Sequence, residues 1–144
     1  MWQTDSFFFS GIRFFFTTMR HAEEQTLEEL EAQLASATDP ESRMTALLDV
    51  AEKIYRTDMI RAIDLATEAL QLARTYNFPD AEIGALTTMG MAFAMAGHYD
   101  NALEQYQQSL FLCDKYNNSR EEAYIHGNLA GLYNNLGDNE KALA

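Results

Sequence analysis

The sequence predicts an all-α protein in which antiparallel helix pairs stack into an open array. Three observations lead to this fold class. Long stretches are rich in Ala, Leu, Glu and Gln, which favour helix, and only two prolines and seven glycines interrupt the 144 residues. The alternation of Val, Ile and Thr that is typical of strands is absent. Small and aromatic residues recur every 40 residues, which indicates a repeated helical unit.

Pairs of similar residues 40 positions apart define the repeat. They are Gly97/Gly137, Phe93/Tyr133, Ala102/Ala142, Leu103/Leu143, Tyr76/Tyr116, Asn77/Asn117, Ala62/Ala102, Leu70/Leu110 and Leu72/Leu112. From this period we predict a non-globular extension at 1–18, a capping helix within 19–38, repeat 1 at 39–77, repeat 2 at 78–117 and an incomplete repeat 3 at 118–144. Since one helix pair cannot bury its apolar face alone, the pairs are expected to stack.

Residues 1–18 stand apart because they contain the phenylalanine-rich run Phe7–Phe16, interrupted by Arg13. Crossing a bilayer takes roughly 20 apolar residues, and a secretory signal places its positive charge before the apolar run. Two explanations stay open: a degenerate signal or anchor, and an upstream extension of a protein that begins at Met19. The fold prediction therefore begins after residue 18.

The capping helix and repeat 1 follow from apolar spacing and helix caps. Glu23–Ala35 places Leu27, Leu30 and Leu34 on one face. Asp39-Pro40 then supplies an N-cap and a first-turn proline. Helix A uses Leu47, Leu48, Ala51, Ile54 and Tyr55; the turn at Arg56-Thr57-Asp58 lacks glycine; helix B uses Ala62, Leu65, Ala66, Ala69 and Leu70.

Repeat 2 is the most regular unit. Asp80 is the predicted N-cap of its helix A, and Gly97 is predicted to end that helix in the left-handed conformation. Helix B is expected to fade at Tyr116-Asn117-Asn118. The predicted inward residues are Ile83, Leu86, Met89, Gly90 and Phe93 in helix A, and Ala102, Leu103, Tyr106, Ser109 and Leu110 in helix B.

Repeat 3 is predicted to begin with a capping box, Ser119 with Glu122, and to turn again at Gly137-Asp138. Its predicted core residues are His126, Leu129, Ala130 and Tyr133. The small pairs Gly90/Ala130 and Ala102/Ala142 are expected where helices A and B cross closely. The sequence stops at Lys141-Ala142-Leu143-Ala144, inside the expected second helix, so we expect the natural protein to continue.

One stretch resembles the tetratricopeptide signature: Met89-Gly90-(x)2-Phe93-(x)3-Gly97-x-Tyr99-(x)2-Ala102-(x)3-Tyr106-(x)2-Ser109, with a second copy at Asn128-Leu129-Ala130-(x)2-Tyr133-(x)3-Gly137-(x)4-Ala142. The usual unit has about 34 residues. The longer unit resembles those of kinesin light chains and of bacterial regulators and sensor proteins. The resemblance implies a right-handed α–α superhelix, truncated in the third repeat, whose A helices line a concave groove.

Helical phase then predicts which residues face that groove, at 100° per residue. They are Gly84, Thr87, Thr88, Met91, Ala94 and Met95 in repeat 2, and Tyr124, Asn128, Gly131, Asn134 and Asn135 in repeat 3. Asn128 is the first candidate because an amide both donates and accepts hydrogen bonds, and related long repeats clamp peptides with asparagines there. The competing interpretation is a solvated surface residue. Met91 and Met95 offer adaptable apolar contacts, or else pack one repeat on the next.

The charge limits the partners. A net charge of −12 repels nucleic acid, whose affinity comes from Lys and Arg, and it repels anionic membranes. It also gives a mild preference for basic ligands. The repeats that bind chaperone C-termini use a cationic clamp, but the matching positions here carry no cation: Thr87, Met91, Gly127 and Gly131.

No catalytic, metal or cofactor site is predicted. His21, His98 and His126 are dispersed, and the glycines of Gly127-(x)3-Gly131 lack the lysine of a phosphate loop. Cys113 is interpreted as a small buried hydrophobe; chemistry at this cysteine or the histidines is the weakest alternative.

We therefore expect a cytoplasmic scaffold that binds a protein or peptide, or a periplasmic or anchored one if residues 1–18 are a signal. The alternative is the sensory module of a larger bacterial signalling protein, with a kinase, cyclase or DNA-binding output beyond residue 144 or further repeats there.

Overall fold

The computed structural model describes residues 25–143 of the chain, with side chains described for residues 25–137. The expectations for residues 1–18, and for the side chains of Ala142 and Leu143, lie outside these residues. Six helices form: α1 (Leu27–Ser36), α2 (Pro40–Ile54), α3 (Met59–Tyr76), α4 (Pro79–Met95), α5 (Tyr99–Tyr116) and α6 (Ser119–Leu143). Residues 25–143 contain no strand, so the all-α prediction is confirmed.

The helices pack mainly against their neighbours along the chain. Turns of two to four residues join them, which leaves room only for reversal, so consecutive helices run antiparallel. Further contacts join α2 to α4 and α4 to α6. These three helices, called the A helices below, thus lie side by side, while α3 and α5, the B helices, pack against them. None of the helices in residues 25–143 combines the length and the apolar character needed to cross a membrane.

Two buried clusters hold the array together. The first joins α1 to α4 and includes Leu47, Val50 and Leu86. The second joins α4, α5 and α6 and includes Ile83 and Ile125. Because α4 contributes to both clusters, the apolar core is continuous from α1 to α6.

The period of 40 residues is visible in the ends of the two B helices. Asn77 and Asn117 end α3 and α5 in the left-handed conformation, with φ of 59° and 56°. The next backbone N–H reaches back into each helix, from Phe78 to the Ala73 carbonyl and from Asn118 to the Cys113 carbonyl, at 2.9 Å in both cases. Asparagine tolerates this conformation better than most residues do. Gly97 ends α4 with φ of 80°, as predicted.

The predicted caps are confirmed in part. Asp39 caps α2 by accepting from the Ser42 N–H at 2.9 Å. Asp80 is not a cap: α4 begins one residue earlier at Pro79, and the cap position falls on Phe78, whose side chain makes no capping bond. Proline fits the first helical position because its fixed φ suits the helix and it has no N–H to satisfy.

Two other caps differ from expectation. Ser119 is the first residue of α6 rather than its cap, and Asn118 Oδ1 accepts from the Glu121 N–H at 3.2 Å. Asparagine is at least as good an N-cap as serine, so the residue nearer the turn takes this role. A capping box that was not predicted begins α1, with Thr26 and Glu29 bonding to each other's backbone N–H at 3.2 Å.

The predicted turn at Gly137-Asp138 is wrong. The helix α6 runs without interruption through Gly137 to Leu143. Glycine permits a left-handed turn but does not impose one. In α4 the reversal at Gly97 is held by α5, which packs back on it; no helix follows α6 within residues 25–143, so nothing there holds the equivalent turn.

The core of α6 also differs from the prediction. His126, Ala130 and Tyr133 are exposed, whereas Leu129 is buried as expected. The buried positions alongside Leu129 are Ile125 and Leu132. In α4 the corresponding face is covered by α5, but within residues 25–137 no later helix covers it on α6, so α6 turns toward α5 the side chains that reach the existing core.

The close crossing of helices A and B in repeat 2 is confirmed. A Cβ atom on Gly90 would lie 2.6 Å from Cε1 of Tyr106, whose side chain is 2% exposed. Beside it, the hydroxyls of Thr87 and Ser109 lie 2.9 Å apart. The pair α4–α5 therefore meets along a strip where only small side chains fit.

Candidate functional site

The three A helices share one open cleft of about 380 Å³, called the A-helix cleft below. It lies where α2, α4 and α6 come together, so three successive units contribute to it. Its lining consists of Asp49, Glu52, Lys53, Tyr55 and Arg56 from α2 and the turn after it, Gly84, Thr87, Thr88 and Met91 from α4, and Glu121 and Tyr124 from α6.

The part of the cleft that α4 forms is rigid and almost dry. Thr87 and Thr88 are 2% and 1% exposed, and Met91 is also buried. The threonine hydroxyls donate to carbonyls of their own helix, Ile83 and Gly84, both at 2.8 Å. Because these protons are already used, this wall offers a ligand shape and apolar contact rather than strong hydrogen-bond donors.

Two tyrosines give the cleft its aromatic surface. The guanidinium of Arg56 lies over the Tyr55 ring at 5.3 Å from the centroid, and Arg56 Nε donates to the Tyr55 hydroxyl at 2.8 Å. The Tyr124 hydroxyl donates to Met91 Sδ at 3.4 Å, while the side chain stays half exposed. The rings therefore present large apolar faces together with polar edges, as aromatic residues at binding surfaces often do.

Acidic groups lie close to these rings. Burial raises the pKa of the Glu121 carboxyl, and nearby Asp80 adds to this effect while Arg120 opposes it. Burial also raises the pKa of the Tyr124 hydroxyl; a hydrogen-bonding interaction with Asn128 opposes this, while Tyr55, Glu52 and Glu121 add to it. Negative charge and tyrosine rings thus share one partly dehydrated space.

Four of the predicted groove residues line this cleft: Thr87, Thr88, Met91 and Tyr124. The other five committed to the groove do not: Asn128, Gly131, Asn134, Asn135 and Met95. All of these except Asn128 are exposed. The structure therefore concentrates the site near the start of α6 and the middle of α4, rather than along the whole of α6.

Asn128 lies beside the cleft, one helical turn after Tyr124. Its Nδ2 is buried without a hydrogen bond of good geometry, although its interaction with the Tyr124 hydroxyl lowers the pKa of that group. An amide donor that is buried without a well-placed acceptor costs free energy. The position is thus maintained at some expense to stability.

The residues from α2 were missed at the sequence level. Asp49, Glu52, Tyr55 and Arg56 occupy the helix A end of repeat 1, yet groove positions were assigned only to repeats 2 and 3. The same 100° step applied to α2 could have found Asp49 and Glu52, which are three residues apart on one face. Tyr55 and Arg56 follow the helix, where helical phase gives no guide.

The described groups with chemical potential do not form a catalytic set. Cys113 is buried, and burial raises the pKa of its thiol to about 11, so the reactive thiolate is scarce at neutral pH. His126 lies 3.8 Å from Glu122 on an exposed helix face. Within the described part of the chain, no three His, Cys, Asp or Glu side chains converge so as to hold a metal ion.

Comparison with known proteins gave no relative: no protein-family model, no curated protein and no solved structure matches this chain. The tetratricopeptide resemblance therefore stays a prediction.

Proposed function

We propose that this chain is a non-catalytic interaction module that binds an extended segment of a partner protein or peptide in the A-helix cleft. The observation that carries the proposal is the cleft itself, which three helices from three successive units build jointly. Its volume of about 380 Å³ lies within the range of natural ligand sites. An extended segment fits a cleft that crosses several helices better than a compact ligand does.

The cleft is suited to side chains that need both apolar and polar contacts. Met91 and the methyl groups of Thr87 and Thr88 give apolar surface, and the rings of Tyr55 and Tyr124 give area at low entropy cost. Because the α4 wall is buried and internally bonded, the site is largely preformed, which lowers the cost of ordering it on binding.

Asn128 is proposed to act when the ligand arrives. Its buried Nδ2 lacks a well-placed acceptor, and Tyr124 lies beside it. A peptide carbonyl that displaced the Tyr124 side chain would supply that acceptor. The free energy lost in the unliganded protein would then be recovered in the complex.

The fold proposed with this function is a right-handed tetratricopeptide solenoid. The supporting features are paired antiparallel helices, the A helices side by side, and asparagine-ended B helices 40 residues apart. A partner without nucleic acid, no cofactor and a cytoplasmic location are part of the proposal, supported by the net charge of −12 and by the protonated thiol of Cys113. The sensory-module alternative stays a prediction, which the coding sequence beyond residue 144 would test.

A display library of random 12-residue peptides, panned on the full chain, tests the proposal. Tyr124→Ala removes a cleft wall, and Tyr76→Ala is its matched control because the two tyrosines are 49% and 50% exposed and Tyr76 is not part of the cleft lining. We expect enriched peptides whose affinity falls about tenfold or more with Tyr124→Ala and stays unchanged with Tyr76→Ala, since an aromatic anchor often contributes 2 kcal/mol or more. Equal effects of the two variants, or no enrichment, would overturn the proposal.

A further inference from the structure

The A-helix cleft carries more negative than positive charge on its lining. The carboxylates of Asp49, Glu52 and Glu121 line it together with the cations Lys53 and Arg56. Glu52 and Glu121 come from different helices, yet both raise the pKa of the Tyr124 hydroxyl, so the two carboxylates approach one tyrosine from two sides. A cationic group placed there meets both carboxylates and a ring.

One cation already occupies part of this space. Arg56 lies over the Tyr55 ring and donates to its hydroxyl, which shows that the ring can hold a guanidinium by its face and by its edge. Arg56 follows Tyr55 directly in the chain and is exposed, so it is held by a local, solvent-accessible contact. An incoming cation can displace such a contact at little cost.

An anionic ligand fits this surface poorly. It would meet the carboxylates of Glu52 and Glu121 at the same ring, and Glu121 is already partly dehydrated, which makes a second negative charge nearby unfavourable. The whole chain carries −12, which also favours the approach of basic ligands over acidic ones.

We propose that the A-helix cleft recognises a lysine or arginine side chain of the bound segment, placed against the tyrosine rings between the carboxylates of Glu52 and Glu121. This inference rests on the proposed function, because it names the chemistry of the segment that the same cleft binds. Arg56 acts in the free protein as an internal stand-in for that side chain and competes with it.

The first test uses the peptides enriched from the random library on the full chain, each labelled with a fluorophore and titrated by anisotropy. We expect the enriched set to share a Lys or Arg at one position. Replacing an arginine there by citrulline, which keeps the shape and removes the charge, should weaken binding about tenfold. Binding that survives citrulline unchanged would overturn this inference while leaving peptide binding in the cleft intact.

Charge-matched variants separate the cleft from the overall charge of the protein. Glu52→Gln with Glu121→Gln neutralises the two cleft carboxylates, and Glu28→Gln with Glu104→Gln removes the same total charge at exposed sites on α1 and α5. We expect about tenfold weaker binding for the cleft pair and less than about twofold for the remote pair. Equal losses would show that only long-range attraction operates, and the cleft would then not be a cation site.

Arg56→Gln gives the most discriminating result because the two ligand classes predict opposite signs. If the ligand side chain is basic, removing the internal competitor should tighten binding about twofold to fivefold. Arg61→Gln, an exposed arginine that pairs with Glu31 away from the cleft, should leave affinity unchanged. Weaker binding by Arg56→Gln alone would contradict a basic ligand and indicate an acidic one, whereas loss of binding with Tyr124→Ala tests the proposed function separately.

Discussion

Replacing Gly90 by alanine places a methyl group where α4 crosses α5. The new Cβ would lie 2.6 Å from Cε1, 2.8 Å from Cδ1 and 3.0 Å from Cζ of Tyr106. The tyrosine ring is 2% exposed, so it cannot swing into solvent to make room. The two helices must separate, or the ring must leave its rotamer.

The sign of the effect is set by two opposing terms. Alanine is favoured over glycine inside a helix by about 1 kcal/mol. Overpacking a well-filled core costs about 1–3 kcal/mol, and contact with three ring atoms at 3.0 Å or less belongs at the upper end of that range. We therefore expect Gly90→Ala to lower the free energy of unfolding by about 1–2 kcal/mol, and the melting temperature by about 4–8 °C per kcal/mol.

Urea unfolding followed by far-UV circular dichroism measures this effect. The matched control is Gly127→Ala, a helical glycine of α6 whose added Cβ would have no neighbour within 4 Å; there the same substitution should stabilise by about 0.5–1 kcal/mol. Trimming the ring by Tyr106→Leu should remove most of the penalty of Gly90→Ala in a double-mutant cycle. A Gly90→Ala protein as stable as wild type, or additive effects in the cycle, would refute the close crossing.

Three further predictions concern single side chains. Asn128→Leu keeps the branching of the side chain but removes the buried unsatisfied donor, so it should raise the free energy of unfolding by about 1 kcal/mol while weakening the binding of cleft peptides; lower stability would contradict the environment described for Nδ2. Asn117 has φ of 56°, so Asn117→Ala should cost about 1 kcal/mol and Asn117→Gly should not, as chemical denaturation of both variants can show. The pKa of the Cys113 thiol is raised to about 11 from 9.0, so its contribution to stability is complete below pH 9 and is lost as the pH rises toward 11. Between those pH values the unfolding free energy of wild type should fall more steeply than that of Cys113→Ala, by an amount on the order of 2 kcal/mol; parallel curves would exclude this cause.

Local conformational preference was the part of the fold that the sequence predicted well. Asn77, Asn117 and Gly97 lie where a left-handed residue is needed, and each of them has that conformation at low cost. Gly90 was predicted at a close helix crossing, where it meets Tyr106. These predictions succeed because the residue type itself restricts what the backbone and its neighbours can do.

The failures concern what packs against each helix. His126, Ala130 and Tyr133 were placed in the core by analogy with α4, yet a helix face is buried only where another element covers it. Gly137 has no such element to hold a turn, so α6 continues through it. Neither periodicity nor propensity contains this information, because it depends on the spatial neighbours of α6.

The candidate site was predicted in part for the same reason. Helical phase placed Thr87, Met91 and Tyr124 at the cleft, but it could not show that the α4 threonines are buried against α5. It also could not find Tyr55 and Arg56, because both follow the end of α2 and are oriented by the turn. The acidic and aromatic character of the cleft emerges only when three helices are brought together.

The most direct test of a ligand-binding cleft among the A helices is a methyl NMR titration of the full chain with a library-selected peptide. We predict that the methyl signals of Met91, Thr87 and Thr88, which lie in the cleft, shift in a saturable way, while those of Ile60 on α3, which is 77% exposed, stay in place. Shifts at Ile60 and unchanged cleft methyls would place the binding surface on the B helices and contradict the account.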